Sequence, residues 1–187
     1  MAAGARDRIV TATIELVRER GVHGTGVSEV LERSGAARGS IYQHFPAGKP
    51  ALVAEAVRVA GHHLERIMTD GAAPVPDRSG PDRSGTAMLE ALLDWWEREI
   101  GRHGGALGCP VAAAAVDADP VVNAAAQEVF ERLHALLTET TGDPIGASVA
   151  ISAVEGAILR SRAARSPEPL HHVRRRVASL VGASPRT

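Results

Sequence analysis

The sequence is poor in aromatic residues and has a single cysteine. Phe, Trp and Tyr make up 3% of the 187 residues, so the hydrophobic core has to be built from Ala, Val, Leu and Ile. One cysteine excludes an intrachain disulfide and gives no sign of an oxidising compartment. No apolar signal region or bilayer-spanning run is present. We therefore expect a soluble, cytoplasmic protein without a membrane partner.

The charge balance and residue usage indicate the class of protein. The formal net charge is −1, which argues against a protein that coats nucleic acid non-specifically but allows a local DNA-reading face. Alternating β-branched runs are scarce, whereas Ala and Leu abound, and this composition predicts an all-α fold. The length allows one large domain or two small ones.

The segment 27–45, VSEVLERSGAARGSIYQHF, has the pattern of two short helices joined by a tight turn. Apolar residues recur at helical spacing up to Gly35, which can end a helix because glycine adopts the left-handed conformation. Ile41 and Phe45 then form an inward-facing i, i+4 pair in the second helix. This geometry is typical of a DNA-binding helix-turn-helix, although any helical hairpin of an all-α domain can show the same spacing.

The charge around the turn favours the DNA-binding interpretation. Residues 35–49 contain no Asp or Glu, while Arg38 and Lys49 supply positive charge that suits a surface lying against phosphates. Arg38 can bond guanine through two donors, Gln43 can pair with adenine, and the serine and tyrosine hydroxyls can reach phosphates.

Particular residues carry more information than the spacing does. They are Thr25-Gly26-Val27, Ser34-Gly35-Ala36, Arg38-Gly39-Ser40-Ile41-Tyr42, Phe45, Lys49 and Leu52. Together they resemble the N-terminal domain of TetR-family repressors over about residues 6–60. The run 39–49, GSIYQHFPAGK, resembles the LmrA/YxaF-type subgroup in particular, in which an aromatic pair ends the recognition helix before Pro-x-Gly-Lys.

The resemblance and the side-chain chemistry together imply a set of DNA contacts. These residues are Thr25, Ser28, Arg38, Gly39, Ser40, Tyr42, Gln43, His44 and Lys49. Gly39 lacks a side chain and would let the backbone approach DNA closely. Lys49 is misplaced at a helix N-terminus unless a phosphate lies nearby. Ser28 is equally well explained as a helix cap, and Tyr42 also fits a packing residue with a solvated hydroxyl.

Apolar periodicity predicts an all-α chain of about nine helices. Besides the helix-turn-helix, the predicted spans are 5–20, about 49–69, 86–103, an Ala-rich helix ending near 117, about 119–140, about 144–164 and about 168–181. We place a DNA-binding domain at 1–48 and a helical ligand-binding and dimerisation domain at 49–187. Residues 70–85 contain Pro-Asp-Arg-Ser-Gly twice in tandem, which predicts a flexible loop.

The resemblance implies a homodimer that pairs through the last two helices, 144–164 and 168–181. Small residues in the first of these helices would allow another helix to approach closely, and the second has a narrow apolar seam. Two recognition helices about one DNA turn apart would then read a near-palindromic operator of double-stranded DNA.

The resemblance also implies a pocket whose small-molecule effector releases the DNA. Candidate lining residues are Met88, Leu92, Trp95, Trp96, His103, Cys109, Val129, Phe130 and Leu133. All of them fit plain core equally well. The low aromatic content favours a smaller or aliphatic ligand over a large planar drug.

Enzymatic motifs are absent from the sequence: it has no P-loop, dinucleotide fingerprint or HExxH. The adjacent histidines His62-His63 and His171-His172 point in different directions on a helix and make poor metal chelators. Cys109 fits a reactive thiol at a helix start or, better, a small buried residue. We therefore predict no catalytic, metal or cofactor site and a DNA-binding transcriptional regulator, most simply a ligand-released repressor. The alternative is a small-molecule sensor that does not bind DNA.

Overall fold

The computed structural model describes residues 4–71 and 84–181, and over these ranges it contains helices and no strand. This confirms the all-α prediction. The helices are α1 Ala5–Arg20, α2 Val27–Ser34, α3 Arg38–His44, α4 Lys49–Asp70, α5 Gly85–Arg102, α6 Pro110–Ala115, α7 Pro120–Thr141, α8 Pro144–Ala164, α9 Glu168–Arg174 and α10 Val177–Val181. None of these helices combines the length and apolarity that crossing a bilayer requires. Most of the predicted loop 70–85, including residues 72–83, lies outside the described residues.

Local capping explains where several helices begin and end. Gly21 ends α1 and Gly35 ends α2, each with a positive φ that a glycine adopts without strain. The Ser84 hydroxyl accepts a hydrogen bond from the Ala87 N–H at the start of α5. The Asp143 carboxylate accepts one from Gly146 at the start of α8, where Pro144 occupies the first turn. Because these signals are local, the sequence places most boundaries within two residues.

The prediction of a single helix over 168–181 is wrong. The structure divides this segment into α9 and α10, with a turn at Arg175 and Arg176 between them. The Arg176 N–H donates to the Val173 carbonyl at 2.8 Å, which is an i to i−3 bond and tightens the chain. Leu170 and Val177 are both buried across the break, so the apolar periodicity continues and conceals the turn.

The chain forms two compact units. The first consists of Met1–His62 with Cys109–Phe130, and the second of His63–Gly108 with Glu131–Thr187. Helices α4 and α7 contribute residues to both units. These compact units need not coincide with functional domains, so the domain boundary between residues 48 and 49 stays a prediction.

In the first unit the core lies where α1 to α4 meet. Its buried members are Ile9, Val10, Ala12, Leu16, Val30, Ile41, Phe45, Leu52 and Ala56. Ile41 and Phe45 are thus core residues, as the sequence predicts. In the second unit the largest fully buried side chains include Leu89, Leu93, Trp96 and Ile100 of α5, Leu137 of α7 and Ile158 of α8. Aliphatic side chains dominate both cores.

Helices α4 and α7 pack closely within the first unit. A Cβ added to Gly61 would lie 2.5 Å from a γ-methyl of Val129, so only glycine fits there. Beside this contact Arg58 donates to both carboxylate oxygens of Glu128, at 2.7 and 3.1 Å. The hydrogen bond with Glu128 raises the pKa of Arg58, although partial burial opposes the shift. The bidentate pair joins the two helices beside their closest contact.

We expect Gly61→Ala to lower the free energy of unfolding by about 1–3 kcal/mol, because the new methyl overlaps a β-branched side chain that has few rotamers. Urea unfolding followed by circular dichroism measures the change. Gly101→Ala in α5 is the matched control, because its Cβ would meet no atom within 4 Å. The control should be neutral or more stable by up to about 1 kcal/mol. Equal stabilities of the two variants would contradict the close packing.

Candidate nucleic-acid interface

Hydrogen bonds hold the turn between α2 and α3. The Ser34 hydroxyl donates to the Leu31 carbonyl at 3.2 Å and accepts from the Ala36 N–H at 3.3 Å. The Arg8 side chain of α1 donates to the Ser34 carbonyl at 3.1 Å. Together with the left-handed Gly35, these bonds fix the angle between the two helices and tie the turn to α1.

Ion pairs fasten α2 to α1. Arg33 donates to both carboxylate oxygens of Glu19, at 2.6 and 3.0 Å, and Arg20 pairs with Glu29. The hydrogen bond with Glu19 raises the pKa of Arg33. Hydrogen bonds from Arg20 and the Gly26 N–H lower the pKa of Glu29. Glu19 and Glu29 are therefore engaged by cations of α1 and α2.

Helix α3 buries one side and exposes the other. Ile41 is fully buried and Phe45 nearly so. Arg38, Gly39, Tyr42, Gln43 and His44 are exposed, and Ser40 is half-buried. Tyr42 is 63% exposed, which rules out the packing interpretation of its ring. The structure thus brings six of the predicted DNA contacts together on one short helix.

Gly39 has no structural explanation within the described residues. Its φ is not positive, and a Cβ added to it would meet no atom within 4 Å. Neither the backbone conformation nor the packing therefore requires glycine, although glycine is disfavoured in helices relative to alanine. A binding partner that approaches the α3 backbone closely would account for glycine at this position.

The other predicted contacts differ in their exposure. Ser28 is exposed, and Gly26 rather than Ser28 occupies the N-cap of α2. Lys49 is half-buried at the first residue of α4. Thr25 is only 1% exposed, and its hydroxyl donates to the Gly21 carbonyl at 2.8 Å. The Thr25 side chain therefore stabilises the loop before α2.

Two cations of this surface are available to a partner. Arg38 and Lys49 make no ion pair with any residue in ranges 4–71 and 84–181. Arg6 differs, because it pairs with Glu55 and lies over the Phe45 ring, 5.7 Å from its centroid. Arg6 therefore stabilises the fold, whereas Arg38 and Lys49 leave positive charge on the segment 35–49, which contains no Asp or Glu and can lie against phosphates.

The predicted ligand-lining residues do not form one described site. Met88, Leu92, Trp96 and Leu133 are buried in the second unit, where Trp95 is half-buried and His103 exposed. Cys109 and Val129 are buried in the first unit, with Phe130 half-buried. Trp95 borders a surface groove of about 460 Å³, together with charged residues of α4 and α5 that the sequence did not single out. Their spacing is that of ordinary solvent-facing ion pairs, so the sequence held no signal for a groove.

Comparison with known proteins agrees with this geometry. The family described as "Bacterial regulatory proteins, tetR family" matches residues 9–56. An uncharacterized HTH-type transcriptional regulator of Mycobacterium tuberculosis is 36% identical over 195 residues, covering 95% of this chain and 94% of the relative. The HTH-type transcriptional regulator LmrA of Bacillus subtilis is 26% identical over 184 residues, covering 95% and 96%. A crystal structure of regulatory protein TetR from Rhodobacter sphaeroides superposes with a TM-score of 0.80 at 24% identity, covering 94% of this chain and 98% of that one.

These matches confirm the resemblance drawn from residues 25–52. The M. tuberculosis relative aligns over nearly its whole length, and the similarity to LmrA agrees with the subgroup indicated by the run 39–49. Proteins of this family are regulators of transcription and not enzymes, and they bind DNA operators, typically as dimers. The chain belongs to the TetR family of bacterial helix-turn-helix transcriptional regulators.

Proposed function

We propose that the protein is a repressor that binds a near-palindromic operator as a homodimer and is released by a small-molecule effector. The DNA-binding part of the proposal is supported by the exposed face of α3. This face has no carboxylate, and it combines the open Gly39 and the exposed Tyr42 with Arg38, which has no ion pair in the described part of the chain. The fold of the free protein does not require these residues, whereas a polyanion such as DNA would interact favourably with them.

Each side chain of this face has a chemical role. Arg38 and Gln43 can read base edges, since their donors and acceptors match guanine and adenine in the major groove. The Tyr42 hydroxyl reaches phosphate, and Lys49 places an ammonium beside the strand backbone. A phosphate near Lys49 would also interact favourably with the N-terminus of α4, where a cation alone opposes the helix dipole. Thr25 is left out of the side-chain contacts because its hydroxyl is bonded internally.

Dimerisation is supported by the outer face of α8. Its inner face buries Ala147, Ala150, Val154, Ala157 and Ile158. The opposite face exposes Ile145, Val149 and Leu159, with Ile145 at 76% and Leu159 at 71%. A helix that is apolar on both sides is buried on both sides. Since the outer face is exposed in one subunit, a second copy related by a twofold axis is its occupant.

Gly156 lies on that outer face between Val149 and Leu159. A Cβ added to it would meet no atom within 4 Å, so the fold of one subunit does not require glycine at this position. A glycine between exposed apolar residues allows the backbone of another helix to come close. The proposed interface therefore has its closest approach at Gly156, and α9 with α10 completes it.

Release of the operator requires a ligand with different affinities for two arrangements of the dimer. A ligand that binds the DNA-incompetent arrangement more tightly shifts the population toward it, and equal affinities shift nothing. Helix α4 connects the two activities, because it begins at Lys49 beside the DNA-facing surface and contributes residues to the second unit.

The test of DNA binding is a titration of DNA flanking the gene, and of fragments selected from a random pool, at several salt concentrations. We expect Tyr42→Ala and Lys49→Ala each to weaken operator binding by about tenfold or more, since hydrogen bonds to charged groups contribute about 1.5–3 kcal/mol. Lys49→Ala should also reduce the salt slope by about one. Val116→Ala is the control, because Val116 is exposed at the end of α6 and is not one of the predicted DNA contacts. Parent-like binding by both mutants would refute the assigned contacts.

Gly39→Ala separates a DNA role from a folding role. The free protein has space for the methyl, so its stability should be unchanged or raised by up to about 1 kcal/mol. Operator affinity should fall by about fivefold or more, because the methyl would be forced against the DNA. Thermal unfolding and fluorescence anisotropy with labelled operator measure the two effects. An unchanged affinity would show that the α3 backbone does not approach DNA closely.

Gly156→Leu tests the dimer interface. The larger side chain should separate the two α8 helices and raise the dimer dissociation constant by about tenfold or more, measured by analytical ultracentrifugation. Operator affinity should fall in parallel. Gly101→Leu is the matched control, because Gly101 of α5 is also an exposed helical glycine whose Cβ would meet no atom within 4 Å. A Gly156→Leu protein that stays dimeric at the parental concentration would place the interface elsewhere.

A further inference from the structure

A groove of about 460 Å³ runs between α4 and α5 within the second unit. Its size falls in the range of small-molecule sites. Its polar and aromatic lining comprises His63, Arg66 and Asp70 of α4 and Asp94, Trp95 and Arg98 of α5. On α4 these positions are three or four residues apart and so share one face, and on α5 Arg98 follows Asp94 by four residues and Trp95 by three. The groove is therefore lined by two facing rows of polar and aromatic side chains.

The two ends of the groove differ in charge. A Cβ added to Gly71 would lie 3.3 Å from the Ala91 Cβ, and the His63 and Trp95 rings lie 5.5 Å apart, so the two helices run antiparallel. His63 and Arg98 consequently lie toward one end, and Asp70 lies toward the other. The rise of a helix separates positions 63 and 70 by about 10 Å. One end of the groove thus concentrates nitrogen donors.

Two arginines, Arg66 and Arg98, line the groove. Arg66 and Asp70, like Asp94 and Arg98, have the i, i+4 spacing of helical ion pairs. Neither pair forms in the part of the chain that the structure describes, and Arg66 and Arg98 make no other ion pair there. Asp70 instead accepts from the Thr69 hydroxyl at 3.1 Å. As far as residues 4–71 and 84–181 show, both guanidinium groups are open to an anion.

Arg174 of α9 explains why Asp94 does not pair with Arg98. It donates to Asp94 at 2.7 Å, to Glu90 at 2.6 Å and to Glu97 at 3.1 Å. Burial opposes the charge of Arg174, but the hydrogen bond with Asp94 and the charge of Glu97 raise its pKa. The Asp94 carboxylate is therefore turned toward α9, and the exposed Arg98 guanidinium is not engaged by it.

Trp95 supplies an apolar wall beside these cations. The ring is half-buried and lies edge-on to His63, and its centroid is 4.7 Å from that of Trp96 with an interplanar angle of 74°. Such an edge-to-face cluster presents flat hydrocarbon surface at low conformational cost. A guanidinium beside it can bind a carboxylate through two parallel hydrogen bonds. The combination matches a ring that carries a carboxylate.

We propose that this groove binds a planar aromatic carboxylate of one or two rings, with the carboxylate on Arg98 and Arg66 and the ring against Trp95. Asp70 at the far end disfavours a second acidic group and sets the orientation. This assignment gives a chemical class to the effector, and its regulatory meaning rests on the proposed function. The binding itself is independent of DNA.

The test is calorimetric titration of the full chain with 2-naphthoate and with its neutral counterpart 2-naphthamide. The carboxylate should bind about tenfold more tightly, since a charge-assisted bidentate contact is lost in the amide. Arg98→Gln should remove that preference, and Arg66→Gln should reduce it. Arg102→Gln should behave as the parent, because Arg102 pairs with Glu99 at 3.4 Å and does not line the groove. Equal affinities of the two compounds, or a parental preference in Arg98→Gln, would overturn the assignment.

A second measurement separates this inference from the proposed function. Thermal unfolding should show that Arg98→Gln is as stable as the parent, and both should bind operator equally. Naphthoate should release the parent from DNA at concentrations that leave Arg98→Gln bound. Naphthoate binding without any DNA binding would refute the proposed repressor and support the groove. DNA binding without naphthoate binding would refute the groove alone, and naphthoate binding with unchanged operator affinity would refute its regulatory role.

Discussion

The burial of Ile41 and Phe45 against α1 is the constraint on which the DNA-facing surface depends. Helix α3 has only seven residues, and a helix of this length is unstable alone. Its conformation therefore comes from packing on the core of the first unit, with the turn at Ser34 and Gly35 held by Arg8. Since the inner face carries the stability, the outer face is free to hold Gly39 and an exposed Tyr42.

Charge is distributed in the same way. Most cations near α1 and α2 are engaged in ion pairs that fix helix angles, as Arg33 does with Glu19. Arg38 and Lys49 stand apart from this network within the described ranges, and so do Arg66 and Arg98 on the groove. A cation without an internal partner contributes little to folding. These four side chains are where the proposed contacts with DNA and with a small anion arise.

Much of the fold could be predicted because the signals that end a helix are local. Gly35 ends a helix in the structure as the sequence predicts, and the predicted spans 5–20 and 144–164 match helices that end at Gly21 and begin at Pro144. The turn at Arg175 could not be predicted, because the apolar spacing continues through it. The internal bond of Thr25 was equally hidden, since a hydroxyl that bonds a carbonyl four residues back looks the same in sequence as one that faces DNA.

The sequence by itself determined the all-α class, the helix-turn-helix and the family, because periodicity, glycine position and side-chain chemistry are properties of neighbouring residues. The tertiary structure alone decided which of those residues are exposed and available to contact a partner. It buried Thr25, left Gly39 and Gly156 in open space, and turned Asp94 toward Arg174 of a distant helix. Availability depends on contacts between residues far apart in the chain, as between Asp94 and Arg174, and no local pattern encodes such a contact.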